Sequence, residues 1–370
     1  MTTTRSETRI QNHDDDASSS CKKRLKSFDK GDVAPWSDVN HDMLFIVMMK
    51  LGVVDFLAFS RVCKSWRSFA VSNRNMFMVS KPPMKIRFGL LDNKEDYYCC
   101  FEDFEGKRFK TILPHSAGRT CVGLTCGYFI YFSTETRDFW LVNPITSHEL
   151  HFPDYPLYVG VDEDRIKAIL VFSPSISGWV FVVLRTTLSG YRARKTKISY
   201  YITGKRGWNH VSSALPILDL HVFKGKMYTL HTHCSLGELR LNLNSKCKGK
   251  WRSLETKSFL KLDMFKPRLV SSNEKLYVMH WVSRPKKVME LDFGEMKWVL
   301  PDKTIQEYAI FYSYLKSCVV IKPELWAGLW TQSISNGCFL DTDESQQGVF
   351  CYQGMWYFPH DCLNVNLLDE

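Results

Sequence analysis

The side chains with types suited to chemistry are scattered along this chain of 370 residues. His231, His233 and Cys234 are of zinc-ligating types, and on a strand His231 and His233 would share a face. A structural zinc takes four ligands, and no second Cys/His pair stands nearby at ligand spacing, so no metal is expected there. Cys121 and Cys126 have no matching partner pair and read as buried reduced thiols. The carboxylates Asp162, Glu163, Asp164 and Asp341, Asp343, Glu344 fall in polar turns, where solvation accounts for them without acid–base work. There is no Gly-x-Ser-x-Gly elbow, no phosphate-cradling Gly-rich loop ending in Lys-Ser/Thr and no His-Glu-x-x-His. The expectation is a protein with no catalytic residue, no cofactor and no metal, so not an enzyme. Two basic clusters remain. Cys21-Lys22-Lys23-Arg24-Leu25-Lys26 has the composition of a nuclear import signal or of a solvated charge cluster. Leu188–Lys197 carries four cations in six residues and suits either a phosphate or acidic-peptide contact or a solvated hairpin loop. His231–Gly237 is a second candidate binding loop.

Whatever those residues do must be positioned by ordinary globular structure, since the chain is 45% apolar and 24% charged. Its aromatic content of 14% favours half-buried pleated surfaces. With 49 basic and 39 acidic residues the net charge is +10, mild for this size. A nucleic-acid binder would concentrate such charge, so nucleic acid is a disfavoured partner. The twelve cysteines include no Cys-x-x-Cys pair, and the first twenty residues lack an apolar stretch, so reduced thiols in the nucleus and/or cytoplasm are expected. The longest strongly apolar run, Trp179–Leu184, is far short of the ~20 residues of a membrane helix, so no membrane association is expected.

Three regions follow from the patterning. Residues 1–31 are polar, with runs of Asp14–Asp16 and Ser18–Ser20, and read as a disordered tail. Residues 32–75 read as three short helices. Ser37 or Asp38 can cap the first, Leu44, Val47, Met48 and Leu51 recur at helical spacing, and Gly52 is a plausible stop. Val53–Phe59 and Val62–Ala70 form the second and third. Residues 76–370 alternate short β-type runs with turns, among them Gly127–Phe132, Trp179–Leu184, Lys197–Ile202, Lys226–Leu230 and Lys275–Met279.

A weak repeat narrows the β architecture. Phe223–Leu230, Leu239–Leu241 and Trp251 correspond to Ser272–Met279, Met289–Leu291 and Trp298, with Tyr228 and Tyr277 49 positions apart and the tryptophans 47 apart. A third piece is Gly127–Tyr131, Phe139–Val142 and Leu150. Kelch-type propeller blades run ~50 residues, and a ring of blades buries faces that one blade cannot; about six units would fit.

Trp36-Ser-Asp-Val-Asn-His-Asp-Met-Leu-Phe-Ile-Val-Met-Met-Lys-Leu51, then Asp55-Phe-Leu57, then Arg61-Val-Cys-Lys-Ser-Trp-Arg67 resembles an F-box. Val39, Asp42, Met43, Leu44, Val47, Leu51, Asp55, Val62, Cys63, Lys64, Trp66 and Arg67 fall on that family's pattern, while Asn40 replaces its usual proline. The whole arrangement, with Trp140-Leu-Val-Asn-Pro144 in the aromatic-rich remainder, is similar to a large group of plant F-box proteins with a kelch-like or uncharacterised C-terminal β domain. The resemblance implies a mainly β fold, in which a small three-helix F-box precedes a β-propeller-like domain of short antiparallel strands. It also implies the substrate-recognition subunit of an SCF-type (Skp–cullin–F-box) ubiquitin ligase, reaching the cullin–RING ligase through a Skp-type adaptor and binding an unknown target protein with the β domain. The adaptor-binding residues would be Val39, Met43, Leu44, Val47, Met48, Leu51, Phe56, Leu57, Val62, Cys63 and Trp66, with Leu44, Leu51 and Trp66 as anchors. Physics agrees, because the apolar side chains in this set exceed what three short helices hide among themselves. The alternatives are an enzyme on a propeller scaffold and a basic nucleic-acid-binding module.

Overall fold

The computed structural model describes residues 35–90, 97–103, 106–156, 166–173, 178–189, 193–213, 215–232, 235–242, 248–257, 267–272, 274–280, 288–301, 309–312, 318–321 and 355–359. The expected tail, its basic cluster, both carboxylate groups, His233 and Cys234 lie outside these residues.

A 3-10 turn, Pro35–Asp38, leads into α1 (His41–Lys50), α2 (Val53–Phe59) and α3 (Lys64–Ser80). The cap of α1 is neither Ser37 nor Asp38. It is Asn40, whose side-chain oxygen accepts from Asp42 N at 2.9 Å and satisfies an amide that has no partner in the first turn. Gly52 does not end α1 in a left-handed conformation; its φ is −73° and it serves as the cap position of α2. The third helix runs to Ser80 rather than Ala70, so the expected domain break at 75/76 falls inside it. Phe69, Ala70, Phe77 and Met78 are its buried residues, at intervals that place them on one helix face, and Phe77 stacks on Phe56 at 4.2 Å. That stack rewards helix where the local sequence permits either helix or strand.

The rest is β. Among the described residues there are five sheets. The first joins β1 (Met84–Leu90), β2 (Tyr97–Glu102) and β3 (Arg108–Leu113); the second holds β4 (Thr120–Thr125), β5 (Tyr128–Ser133), β6 (Asp138–Val142) and β7 (Glu149–Phe152). The third holds β8 (Ile166–Ser173), β9 (Gly178–Ser189), β10 (Ala193–Ile202) and β11 (Asn209–Ser212), and the fourth holds β12 (Ile217–Phe223), β13 (Lys226–His231), β14 (Leu236–Asn242) and β15 (Lys248–Leu254). The fifth holds β16 (Pro267–Ser271), β17 (Leu276–His280), β18 (Val288–Asp292) and β19 (Lys297–Val299), extended beyond β16 by β21 (Cys318–Ile321) and β20 (Ala309–Tyr312). Strands within the second, third and fourth sheets are consecutive and antiparallel, as short hairpin connections demand. Cys126-Gly127 and Lys224-Gly225, all at positive φ, make the same tight turn in two sheets.

The repeat in the sequence is the second-to-fourth-strand unit of neighbouring sheets. Tyr228 pairs with Glu238 and Leu239 with Trp251, whereas Tyr277 pairs with Glu290 and Leu291 with Trp298. The sheets pack face to face around their first strands. Gly123 lies against Ala168 and Thr125 Oγ1 donates to Leu170 O at 3.3 Å, so β4 and β8 run side by side in the same direction. Asp219 meets Leu269 and His221 meets Ser271, so β12 and β16 do likewise. The ring is closed by β22 (Met355–Tyr357), which adds to β1 with Met84 opposite Tyr357 and contacts β20. A strand from the far end of the chain thus completes the first sheet.

Parallel first strands give the ring two distinct rims. Turns joining first to second and third to fourth strands lie on one rim, and turns joining second to third strands lie on the other. The helical core formed by Leu44, Met48, Val53, Phe56, Phe59, Phe69 and Phe77 packs against Met84, where β1 begins, and Ile145, in the β6–β7 turn. The helices therefore sit at the first rim.

Candidate functional site

Helix α1 is apolar on two faces. One face, Leu44 and Met48, is fully inside the helical core. The other presents Met43, Ile46 and Val47 to solvent, 55%, 50% and 42% exposed, at the spacing that places them together on one stripe. In the turn between α2 and α3, Val62 is 52% exposed. Trp66 is half-buried at the start of α3: its Nε1 donates to Trp36 O at 2.7 Å, and its ring meets Trp36 edge-on and Phe59 at 4.6 Å.

The eleven sequence-derived contact residues thus divide. Met43, Val47 and Val62 are exposed; Val39, Leu51, Leu57, Cys63 and Trp66 are intermediate; Leu44, Met48 and Phe56 are interior. Leu44 lies inside the helical core rather than on its surface, because it and Met48 close the space over Phe56 and Phe69. Two exposed residues outside that set are Ile46 and Trp36. Ile46 carries a readable signal, three positions from Met43 and one from Val47.

Where the first strands converge, the ring holds a buried charge cluster. Asp219, on β12, is wholly inside and accepts from Lys167 Nζ of β8 at 2.7 Å, Arg268 Nη1 of β16 at 3.2 Å and Leu269 N at 2.8 Å. Burial opposes its charge, but the two cations and the amide hold its carboxyl below the usual carboxylate range. His221, two residues on, shares a hydrogen bond with Ser271 Oγ at 2.8 Å, and burial, assisted by Lys167 and opposed by Asp219, brings its imidazole down to about 4. Three sheets are tied together at one carboxylate. No local spacing announces it, since Lys167 and Arg268 lie 52 and 49 positions from Asp219 in the sequence.

Three other sequence candidates are held by their neighbours in the fold. His231 is buried and shares a hydrogen bond with Thr229 Oγ1 at 2.9 Å, in space left by Gly237. Cys121 is a thiol that burial pushes up to about 12, with backbone hydrogen bonds at Gly123 and Ile130 opposing the rise. Cys126 Sγ donates to Leu170 O at 3.4 Å. Among the described residues there is no cluster of His, Cys, Asp and Glu able to hold a metal. On the second rim, Asp138 gathers Thr136, Trp140 Nε1 at 3.0 Å, His151 Nε2 at 3.0 Å and Arg119, with Trp140 stacked between His115 and His151.

Against known proteins, residues 36–78 match the family model of the F-box domain, and residues 98–353 match that of the KIB1-4 beta-propeller. No curated protein matches the chain. Among solved structures, a nidogen/laminin complex covers 60% of this chain and 79% of its own at 12% identity and a TM-score of 0.32. The lectin of Aleuria aurantia, solved with alpha-methyl-L-fucoside, covers 59% and 77% at 13% identity and a TM-score of 0.30. Virginiamycin B lyase from Staphylococcus aureus covers 61% and 87% at 9% identity and a TM-score of 0.30. The family matches fall on the two parts the fold distinguishes, the helical unit and the ring of sheets. The chain belongs to the KIB1-4 β-propeller family and carries an F-box domain ahead of its propeller.

Proposed function

We propose that this chain is the non-catalytic target-recognition subunit of an SCF-type ubiquitin ligase, its F-box docking a Skp-type adaptor and its propeller holding the protein to be ubiquitinated. The observation that carries the reading is the second apolar face of α1. Met43, Ile46 and Val47 stay in water although Leu44 and Met48 already complete the helical core. Burying such side chains at an interface stabilises by roughly 1.5–3 kcal/mol each before the costs of association. Three of them, with Val62 as a fourth, suffice for a docking patch around which a polar rim can form. Leu44, Met48 and Phe56 would hold that patch in shape rather than touch the partner. Asn40, capping α1 in place of the family's proline, keeps the first turn ordered.

In this reading the chain performs no bond chemistry. It brings target and adaptor to a fixed separation, the propeller being a rigid spacer between helices on one rim and loops on the other. Its place of action would be the nucleus and/or cytoplasm, where free thiols persist. Co-expression of the full chain with a Skp-type adaptor tests the reading: a stoichiometric complex on size exclusion is expected, and elution of the two proteins apart would refute it.

A further inference from the structure

The sequence phrase Trp140-Leu-Val-Asn-Pro144 closes β6 and opens the β6–β7 turn, and that turn is pinned from within. Asn143 is wholly buried, and its side-chain oxygen accepts from Ile145 N at 3.0 Å and from Thr146 N at 3.1 Å. Its backbone N–H donates to His148 O at 2.9 Å, and its carbonyl accepts from Ser147 N at 2.9 Å. His148 shares a further hydrogen bond with the hydroxyl of Tyr128, on β5, at 2.9 Å. An asparagine that closes its own turn, followed by a proline, leaves the backbone few alternatives. Ile145 is the side chain this turn holds out. It packs against the helical core and also against the core between the first two sheets, and Met84 does the same.

The helices are fastened at a second place. Between the end of α3 at Ser80 and the start of β1 at Met84 stand only Lys81, Pro82 and Pro83, and proline fixes φ at two of these positions. Lys81 reaches back to α1: its Nζ donates to Met49 O at 2.8 Å and lies 4.6 Å from the centre of the Phe77 ring. A cation at a helix C-terminus meets carbonyls that the helix itself leaves open. A single covalent joint would still let the helical unit swing about residues 81–83. Contact with Ile145, which belongs to the second sheet rather than the first, adds another point and removes that rotation.

We propose that the β6–β7 turn is the seat of the helical unit. Ile145, held out by Asn143 and assisted by Lys81, is a positioning residue that fixes the bearing of the adaptor face of α1 relative to the propeller. Units joined by so small a contact move against one another by default, so single side chains decide here between one bearing and many. Adaptor and target are then held at one angle as well as at one separation. The use of the seat rests on the adaptor reading above, but the seat itself is measured without adaptor, so the two can fail separately.

The test uses the full chain with nitroxides attached through a genetically encoded azide at Asn75 and Glu135, both exposed, one on α3 and one in the β5–β6 turn of the opposite rim. Double electron–electron resonance should give one narrow distance. Ile145→Ser and Lys81→Met should each widen the distribution about twofold or more, whereas Ile145→Val should keep it narrow. Circular dichroism and adaptor affinity by calorimetry should be unchanged in all three, because neither position lies on the exposed stripe of α1. The widening should persist when a Skp-type adaptor is bound. A broad distance in the parent chain, or an unmoved narrow one in both Ile145→Ser and Lys81→Met, overturns the seat. Widening in only one of the two removes the other residue from it. Distances that adaptor binding alone makes narrow in both variants overturn their part in setting the bearing. A narrow, Ile145-dependent distance in a chain that binds no adaptor upholds the seat and overturns the adaptor reading instead.

Discussion

Replacing Asp219 with asparagine keeps the shape of the side chain but removes the charge that Lys167 and Arg268 share. In the native ring Lys167 Nζ is 2.7 Å and Arg268 Nη1 3.2 Å from the same oxygen. At an effective dielectric of ~20, Coulomb's law makes the two attractions about 6 and about 5 kcal/mol, against a desolvation cost of several kcal/mol per ion. The net worth of the cluster is therefore small, but the cost of breaking it is not. A neutral amide at this position would leave two cations facing one another across three sheets, and a loss of about 3–5 kcal/mol is expected. Since Asp219 is wholly buried and Lys167 nearly so, salt should rescue little of it. Urea unfolding of the full chain, followed by tryptophan fluorescence, reads the change as a lower midpoint at an unchanged slope. A variant with all three residues made apolar, Lys167→Met/Asp219→Leu/Arg268→Met, should recover most of the loss. A fall below about 1 kcal/mol for Asp219→Asn would show that the carboxylate does not lock the first strands together.

Two further outcomes follow from the same interior. His221 is neutral in the fold with an imidazole brought down to about 4, whereas an unfolded histidine takes its proton near ~6.5. Its contribution to stability is complete above about pH 6.5 and is lost as pH falls toward 4, so the free energy of unfolding read from urea midpoints should drop over that window by about 3 kcal/mol, and the drop should shrink in His221→Gln. Gly237→Ala would bring a Cβ within 2.8 Å of both His231 Nε2 and Thr229 Oγ1, which are hydrogen-bonded to each other in the interior; a destabilisation of about 1–3 kcal/mol is expected, and an unchanged thermal midpoint would contradict that packing.

Much of the fold is legible from the sequence because its signals are local. Val53–Phe59 is helix as the apolar run implies, and Lys226–His231 is a strand entered through the Lys224-Gly225 turn, whose positive φ values need glycine at one position. The repeat is legible because equivalent strands must place Tyr228 and Tyr277, or Trp251 and Trp298, at matching places in neighbouring sheets. What is not legible is decided at a distance. The last turns of α3 are helical because Phe77 finds Phe56, not because of anything in Asn73–Val79 itself. Ring closure depends on Met355–Tyr357 reaching β1 from the other end of the chain, and periodicity carries no trace of it. At the candidate site, the sequence shows surplus apolar side chains but not their sides. Leu44 and Val47 are three apart on one helix, yet one is interior and the other faces water, because the position of α3 selects which stripe is covered. The Asp219 cluster joins residues from three sheets and has no sequence signature at all.

The central claim is that the exposed stripe of α1 is a docking face, and its most direct test is the affinity of a Skp-type adaptor for Val47→Glu and Met43→Glu, measured by calorimetry beside the unchanged chain. These side chains lie outside the helical core, so circular dichroism and the urea midpoint should hold, whereas each substitution should weaken adaptor binding by about 2 kcal/mol or more, roughly thirtyfold. Full-strength adaptor binding by both variants, with the fold intact, would contradict the account.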